Sequence, residues 1–307
     1  MHQINATLIA VAALLLPAFA QPNKAANPFI GRWDFNLTTP GGTRATWLGI
    51  SEHDGKLAVW YQPTGGNVYE LKDFKIDGAH LAITLSPTET WQLDASGDKL
   101  TGFQKRGTST LALTGLRAPD LNRAAPAAWT KPEPLFNGQN LDGWEPMGSP
   151  ASSHWTVQDG LLVNTSHGAN LKSTRTFDDL KVHYEVNCPD HGNSGFYLRG
   201  RYEVQIEYEL LTDNPPERRI GSIYGRIAPN PELPRTPGQW ETFDVTLVGR
   251  TVTVVRNGVT IIDHKEIEGI TGGALDANEG QPGPFYIQGD HTGGLKFRNI
   301  TVSVPQR

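Results

Sequence analysis

The chain has 307 residues, enough for two domains of ordinary size, and its 27 basic and 32 acidic residues give a net charge of −5. Since no basic stripe follows the sequence, nucleic acid is not an expected partner. The single cysteine, Cys188, excludes an intrachain disulfide, and eight tryptophans with 33 glycines and 22 prolines favour short strands joined by many turns.

The first twenty residues predict an export signal. Residues 4 to 20 are apolar, and Ala18-Phe19-Ala20 fits the small-x-small pattern for cleavage. This apolar stretch is too short to span a bilayer comfortably, although a membrane anchor remains the alternative. No cysteine follows it, which argues against a lipid anchor. We expect a periplasmic or secreted protein whose mature chain has no transmembrane segment.

Strand-like segments fill the remainder of the chain, and turn residues separate them at short intervals. Asn257-Gly258, between Val252–Arg256 and Val259–Ile262, is the strongest hairpin signal. Beyond the export signal no segment has a long apolar stripe of period 3.6, so we predict an all-β fold. The predicted strands are Thr46–Ile50, Lys56–Gln62, His80–Leu85, Leu111–Leu116, Leu180–Val186, Phe196–Arg199, Tyr202–Glu207, Phe243–Val248, Thr251–Arg256, Phe285–Gln288 and Leu295–Val304.

A stretch rich in proline and alanine, Ala118 to Pro134, predicts an extended and poorly packed linker. It divides the chain into residues 27–117 and residues 135–307. The first piece opens with Gly31-Arg32-Trp33, which resembles the first strand of lipocalin-like barrels, whose tryptophan plugs the closed end. We therefore expect a smaller N-terminal β-barrel-like domain without a catalytic constellation.

Several large aromatic residues of this first piece are candidates for its core or for a ligand platform. Aromatic side chains at alternating strand positions mostly fill sheet interiors, so we favour the core. The residues are Trp47, Trp60, Tyr61 and Trp91.

The segment from Asn193 to Glu207 is the most informative part of the second piece. Its strand formers alternate with polar residues that include Arg199, Glu203 and Gln205. These side chains offer fork-shaped donors and acceptors, which suit sugar hydroxyls and carbonyls. The pattern predicts the floor of a carbohydrate site.

Five segments give the second piece a family resemblance. They are Leu135 to Gly138 with Leu141 to Trp144, Trp155 to Gly160, Asn193 to Gly200 with Tyr202 to Ile206, Gly221 to Tyr224, and Gln288 to His291 with Phe297 to Ile300. In order and spacing they resemble the 3-keto-disaccharide hydrolase family over nearly all of residues 135–304. The resemblance implies a concanavalin-like two-sheet jelly roll for residues 135–307. It also implies a substrate already oxidised to a ketone at C3.

The chain departs from the family pattern at two places. Only Arg201 separates Gly200 from Tyr202, where the family often inserts a loop. This spacing implies a tight turn or a bulged continuous strand, either of which reshapes the pocket. Glu241 stands where the family tends to have asparagine, at a strand end.

The reaction that the resemblance implies requires particular acid, base and stabilising groups. A C3 ketone acidifies the C2 proton, and the enolate left by its removal can expel the C1 oxygen substituent. Addition of water at C1 then completes a net hydrolysis. The reaction needs a base for the C2 proton, a stabiliser for the enolate oxygen and an acid for the leaving oxygen.

Four residues are the predicted catalytic set. Glu203 is the first choice for base or acid, although a solvated row of acids is the alternative. Arg199 would clamp the enolate or a hydroxyl, unless it only forms a salt bridge. The resemblance favours Glu185, and it also raises His291 as an acid, a base or a metal ligand, against a plain turn role.

Hydroxyl-binding roles are predicted for Gln205, Tyr224 and Gln288, and for Asn193 unless it only builds the turn before Ser194-Gly195. No cofactor is predicted, and the absence of a dinucleotide-binding glycine-rich turn means that a separate oxidoreductase would have to make the ketone. A divalent metal is possible, because His183, Glu185, Glu203 and His291 would make a set of nitrogen and oxygen ligands, although no compact ligand motif supports it.

The leading interpretation is an exported enzyme that cleaves 3-keto-glycosides by elimination and hydration. An upstream sugar 3-dehydrogenase would have to supply the ketone. One alternative is a non-catalytic lectin-like or surface module, because fold does not fix function. Another is a conventional hydrolase of unoxidised sugars, with Glu185 and Glu203 as paired carboxylates.

Overall fold

The computed structural model describes residues 27–39, 42–210 and 213–306, and they form an all-β fold of three sheets. The predicted export signal lies outside the described residues. Within them, no helix has the length and apolar character needed to cross a membrane.

The N-terminal sheet is antiparallel and nearly closed into a barrel. Its order is β4-β3-β2-β1-β9-β8-β7-β6-β5, because β1 pairs with both β2 and β9. The strands are β1 (Gly31–Thr39), β2 (Gly42–His53), β3 (Lys56–Gln62), β4 (Tyr69–Leu71), β5 (Phe74–Asp77), β6 (His80–Ser86), β7 (Glu89–Ser96), β8 (Lys99–Arg106) and β9 (Ser109–Arg117).

Apolar side chains at alternating positions fill the inside of this barrel. Trp33 and Trp91 have no exposed surface, and Tyr61 packs edge-on against Trp91 with ring centroids 5.4 Å apart. The indole of Trp33 donates to the carbonyl of Phe29 (2.7 Å), and the Arg117 guanidinium covers its ring at 4.2 Å. The expected core role therefore holds for Trp91 and Tyr61.

The C-terminal piece is a two-sheet sandwich of the jelly-roll kind. One sheet has the order β12-β13-β22-β15-β18-β19-β20, with β10 also paired to β22, and the other has the order β11-β14-β21-β16-β17. The strands are β10 (Glu133–Pro134), β11 (Trp144–Pro146), β12 (Trp155–Gln158), β13 (Leu161–Asn164), β14 (Leu171–Phe177), β15 (Leu180–Asn187), β16 (Asn193–Leu198), β17 (Tyr202–Glu207), β18 (Trp240–Val248), β19 (Thr251–Arg256), β20 (Val259–Glu266), β21 (Gly283–Ile287) and β22 (Lys296–Ser303); two short 3-10 helices span Pro150–Ser152 and Pro216–Arg218.

Stacked aromatic rings join the two sheets of the sandwich. Tyr184 of β15 lies parallel to Phe196 of β16, with ring centroids 4.2 Å apart, and to Phe243 of β18 at 5.1 Å. Because side chains alternate along a strand, the neighbours of Tyr184 and Phe196 point away from this core. The two sheets therefore present their polar residues on opposite outer faces of the sandwich.

Two short turns between neighbouring strands test local predictions from the sequence. Asn257 and Gly258 both have positive φ (50° and 77°), as a two-residue hairpin between β19 and β20 requires. Between β16 and β17 the chain makes a tight turn, in which Arg199 and Gly200 have φ of 51° and 68°. The short spacing around Arg201 thus produces a turn and not a bulged continuous strand.

The linker is extended and none of its residues is buried, although hydrogen bonds connect it to the pieces that it joins. Its first residue, Ala118, donates its N–H to the carbonyl of Arg32 (2.8 Å), and the Pro119 carbonyl accepts from Arg250 (2.9 Å). Farther along, the Lys181 ammonium lies 4.9 Å from the ring centre of Trp129. The linker is therefore bonded to both pieces that it joins.

A small apolar cluster packs the barrel against the sandwich. Trp47 of β2 is 2 % exposed and packs with Ile270, Ala274 and Ala277 of the segment between β20 and β21. The Arg226 guanidinium covers the Trp47 ring at 4.3 Å. Trp47 is therefore buried between the two pieces and not inside the barrel. Of the four aromatics considered, Trp60 alone is exposed, at 39 %.

Candidate active site

The polar residues of β16 and β17 lie on the face of the five-stranded sheet that is turned away from the sandwich core. Tyr202, Val204 and Ile206 point into that core, so Glu203 and Gln205 point out of it. Both are nevertheless buried, at 3 % and 5 % exposure. Other segments must therefore cover this face of the sheet.

A pocket of about 240 Å³ forms where the covering segments meet the sheet. One wall is the segment between β20 and β21, and another is the barrel loop between β3 and β4. The pocket is lined by Gly65, Gly66, Asn193, Tyr197, Glu203, Gln205, Tyr224, Gly272, Gly273, Gln288, Asp290 and His291.

Neighbouring groups hold the Glu203 carboxyl in one position. Tyr197, its cross-strand partner, places its hydroxyl 2.7 Å from Glu203 Oε2. The backbone N–H of Glu203 donates to Thr271 Oγ1 (3.0 Å). A Cβ at position 195 would lie 2.1 Å from Glu203 Oε1, so only glycine leaves the carboxyl in this position.

The hydrogen bonds around Tyr197 favour a protonated Glu203. The phenol oxygen lies 2.7 Å from Glu203 Oε2 and 2.6 Å from the Gly272 carbonyl, and it accepts from Gln288 Nε2 (3.1 Å). A phenol has one proton and cannot donate to two acceptors at once. If Glu203 carries a proton, the carboxyl donates to the phenol and the phenol donates to Gly272, so every group is satisfied.

Burial acts in the same direction. Removing the carboxyl from water raises the pKa of Glu203 from 4.5 to about 8, and this outweighs the lowering by the bond that Tyr197 donates to the ionised carboxylate; the nearby Asp290 adds to the rise. Glu203 is thus a buried proton carrier whose pKa lies close to neutral pH. This is the property expected of a general acid or base.

Asp290 and His291 form the second titratable pair of the pocket. His291 Nδ1 lies 3.0 Å from Asp290 Oδ1, and this hydrogen bond raises the pKa of His291 despite partial burial. Burial would raise the pKa of Asp290, but the bonds from His291 and Asn170 outweigh it and lower that pKa. With Nδ1 engaged by Asp290, Nε2 of a neutral His291 is the nitrogen left to accept a proton.

Four uncharged residues predicted to bind hydroxyls line the same pocket: Asn193, Gln205, Tyr224 and Gln288. The Asn193 amide donates to Glu209 (2.9 Å), and the Gln288 amide donates to Tyr197. Burial raises the pKa of Tyr224, which keeps its hydroxyl protonated. Together with Glu203 and His291, six of the eight predicted site residues meet here.

Arg199 does not belong to this group, and its predicted placement in the site is wrong. Its side chain has no exposed surface; it donates to Asp178 (2.9 Å), to the Tyr202 hydroxyl (3.2 Å) and to the Gly249 carbonyl (3.0 Å). If the alternation of β16 continued, the Arg199 side chain would lie on the same face of the sheet as Tyr197. However, β16 ends at Leu198, and the left-handed backbone of the turn directs Arg199 elsewhere.

Glu185 is also outside the pocket, which corrects its prediction as a catalytic residue. It follows Tyr184 on β15 and therefore lies on the outer face of the other sheet, where it accepts hydrogen bonds from Arg298 and Asn299. His183 lies on the same face and bonds Asp244 (2.8 Å). Packed sheets are about 10 Å apart, so Glu185 and Glu203 cannot flank one glycosidic bond.

The four-residue metal set considered from the sequence is divided between these two faces. His183 and Glu185 lie on one, and Glu203 and His291 line the pocket on the other. Across residues 27–39, 42–210 and 213–306, no group of three or more histidine, cysteine or acidic side chains could hold a metal ion.

Sequence reasoning missed three parts of the pocket. Tyr197 is absent from the predicted site residues, although its alternation with Phe196 places it on the polar face. Asp290 lies within the segment from Gln288 to His291 but has no predicted role. Gly65 and Gly66 had no signal, because they come from the other piece of the chain and more than a hundred residues separate them from Glu203.

Comparison with known proteins places the second piece in a family. Residues 131–303 match the model of the 3-keto-alpha-glucoside-1,2-lyase-like domain. A search of curated proteins returned no match.

Three solved structures illustrate the structural similarity. A proposed glycosyl hydrolase from Parabacteroides distasonis is 26 % identical, with a TM-score of 0.47, over 60 % of this chain and 93 % of that one. A second protein of the same description and organism is 18 % identical, with a TM-score of 0.47, over 57 % and 92 %. A carbohydrate-binding module from Bacillus subtilis is 12 % identical, with a TM-score of 0.35, over 52 % and 94 %.

The family match spans more than half of the chain, including both sheets of the sandwich and all of the pocket except its barrel loop. The chain therefore belongs to the family of 3-keto-alpha-glucoside-1,2-lyase-like domains and is a carbohydrate-active protein.

Proposed function

We propose that the protein cleaves 3-keto-glycosides by removing the C2 proton, expelling the C1 substituent and adding water. The observation that supports this most is the meeting of two proton carriers in one small pocket, the buried Glu203 carboxyl and the His291 imidazole bound to Asp290. Elimination and hydration need one acid and one base on the same ring, and these two groups supply them.

In the first half of the reaction, neutral His291 takes the C2 proton through Nε2. The electron pair of the C–H bond forms the enolate and then expels the C1 oxygen. Protonated Glu203 transfers its proton to that oxygen, so the leaving group departs as an alcohol. Gln288 and Tyr224 are the donors placed to bind the enolate oxygen, a role in which one donor is worth about 10²–10³-fold in rate.

In the second half, the ionised Glu203 takes a proton from water as the oxygen of that water bonds to C1. His291, now protonated, returns a proton to C2. Both residues recover their starting forms, and the net change is hydrolysis of the glycosidic bond. The His291 side chain is 39 % exposed, so its proton exchanges with solvent between the two steps.

Paired substrates test this mechanism. Incubation with matched oxidised and unoxidised disaccharides in D₂O should cleave only the oxidised one and leave deuterium at C2 of its product. Cleavage of the oxidised sugar without that label would exclude proton abstraction at C2. Cleavage of the unoxidised sugar would favour conventional hydrolysis.

A pair of variants separates the enzyme from a lectin-like module. Glu203→Gln should abolish turnover and keep sugar binding, because glutamine retains the shape of the side chain but cannot donate a carboxyl proton. Glu185→Gln, the same change on the outer face of the other sheet, should leave turnover intact. Wild-type protein that binds the oxidised sugar without cleaving it would support the module.

We also propose that the protein works in the periplasm or outside the cell, downstream of a sugar 3-dehydrogenase that supplies the ketone. The apolar residues 4–20 and the Ala18-Phe19-Ala20 pattern support export. Mass spectrometry of the protein from intact cells should find a chain that begins after Ala20. A chain that retains its first twenty residues would contradict cleavage.

A further inference from the structure

We propose that the mouth of the N-terminal barrel binds the leaving-group sugar of the glycoside, so that the substrate lies across the barrel loop at Gly65. This inference rests on the proposed function, since it assigns the second sugar of the same substrate. It gives the barrel a direct part in substrate recognition.

The size of the pocket supplies the first reason. At about 240 Å³ it is smaller than the range of about 300–1,000 Å³ in which sites for drug-sized ligands fall. With Glu203 and His291 at the reacting ring, a disaccharide has to extend out of the pocket. Its second ring needs a neighbouring surface.

The barrel mouth adjoins the pocket at Gly65. It is a cavity of about 540 Å³, and Gly65 lines both it and the pocket that contains Glu203. Gly65 belongs to the loop between β3 and β4, and it is exposed. The two cavities therefore lie on either side of one loop tip that has no side chain.

The residues of the barrel mouth suit a sugar. Tyr61 and Tyr69 pack edge-on with centroids 5.6 Å apart, and Tyr69 is 42 % exposed, which leaves an aromatic surface for the apolar face of a ring. Arg44, Glu89 and Gln104 add donors and acceptors for hydroxyls. A fully apolar ligand would remove these charged and polar groups from water without forming hydrogen bonds to them, which is unfavourable.

The loop is fixed in position relative to both cavities. The Gln62 amide, which is buried, donates to the carbonyl of Gly66 (2.7 Å). The Thr64 carbonyl accepts from the N–H of Gly273 (2.9 Å). Gly272, the residue before Gly273, accepts from Tyr197, the hydroxyl partner of Glu203. The barrel loop is thus linked to the catalytic carboxyl through three hydrogen bonds.

A second cavity also borders the pocket, but it fits a sugar ring less well. It measures about 370 Å³ and includes Glu209, the partner of Asn193. Its lining among the described residues contains no aromatic ring and includes the buried Glu207 carboxyl. The barrel mouth offers the stacking surface that this cavity lacks.

Gly65 allows a direct test. A Cβ at this position would meet no atom within 4 Å, and unlike Gly66 the residue does not have a left-handed backbone. A larger side chain can therefore be introduced without strain in the fold. Gly65→Phe would place a bulky ring at the loop tip that borders both cavities, and Tyr69→Ala would remove the stacking surface.

The experiment measures kcat/KM for a 3-keto-disaccharide and for the 3-keto methyl glycoside of the same sugar. Both variants should lose about tenfold or more on the disaccharide, which corresponds to about 1.4 kcal/mol. Tyr69→Ala, whose residue does not line the pocket of Glu203, should keep the wild-type value on the methyl glycoside. Phe103→Ala removes another exposed aromatic, 43 % exposed on β8, that does not line the mouth, and it should change neither value.

Equal losses of Tyr69→Ala on both substrates, or no loss of either variant on the disaccharide, would overturn the proposal. If the wild-type protein cleaves neither substrate, the proposed function fails, and calorimetry with the unoxidised disaccharide then decides the binding site separately. Weaker binding in Tyr69→Ala but not in Phe103→Ala supports the barrel mouth. Equal binding by all three proteins refutes it.

Discussion

Replacing Glu203 with glutamine is expected to stabilise the fold at alkaline pH while it removes turnover. Burial raises the pKa of this carboxyl from 4.5 to about 8 in the folded protein. The unfolded chain ionises near the ordinary value, so the folded state binds the proton more tightly. The stability that this proton contributes is complete below about pH 4.5 and is lost as the pH rises through about 8.

The size of the effect follows from the two pKa values. At about 1.4 kcal/mol per pH unit, a pKa raised from 4.5 to about 8 corresponds to about 5 kcal/mol at the alkaline limit and about 3 kcal/mol at pH 7. Glutamine does not ionise, so the variant does not lose this stability as the pH rises. With about 2–4 °C per kcal/mol for a domain of this size, the Tm of the variant should exceed that of the wild type by roughly 10 °C at alkaline pH.

Scanning calorimetry at about pH 4.5 and about pH 8.5 measures the difference. We expect wild type and Glu203→Gln to melt together at the acidic pH and to separate at the alkaline pH. Glu185→Gln is the control, and its stability at alkaline pH should change in the opposite direction. The bonds from Asn299 and Arg298 outweigh burial and lower the pKa of Glu185, so this variant should be less stable than the wild type. A Glu203→Gln difference of the same size at both pH values would refute the burial argument.

Three further predictions concern the site and its surroundings. Gly195→Ala would push its Cβ into Glu203 Oε1, so kcat/KM should fall about 10²-fold with unchanged circular dichroism; full activity would show that the carboxyl position is not critical. Arg199→Met should lower the free energy of unfolding by about 1–3 kcal/mol, since it removes the buried donor to the Gly249 carbonyl, while the folded fraction keeps its kcat; a selective loss of kcat would return Arg199 to the site. The plot of kcat/KM against pH should fall above about pH 8 as Glu203 ionises and at low pH as His291 is protonated, and activity that persists well above pH 8 would exclude Glu203 as the acid.

Local patterns in the sequence predicted much of the fold because the forces behind them act locally. Three predicted strands, Lys56–Gln62, Tyr202–Glu207 and Thr251–Arg256, match the observed ones residue for residue. Period-two alternation also predicted that Glu203 and Gln205 share a face. The Asn-Gly hairpin followed from the positive φ that both of its residues tolerate.

The wrong or missing predictions of side-chain position concern residues at which a strand ends or at which packing against a distant segment determines the structure. Arg199 continues the alternation of β16 in sequence but not in space, because the turn has already begun. Glu185 alternates with the core residues of its strand as predicted, but that strand belongs to the sheet without the pocket. The pattern of one strand does not show which outer face of a sandwich its polar residues occupy. The barrel loop at Gly65 completes the pocket through tertiary packing, which no local pattern encodes.

The packing of Trp47 against Ile270 has a consequence for any attempt to separate the two pieces. The barrel indole covers an apolar side chain of the sandwich, so a sandwich produced alone would expose Ile270 to water. It would also lose Gly65 and Gly66, which line the pocket of Glu203. A truncated sandwich is therefore expected to be less soluble and to have a more open pocket.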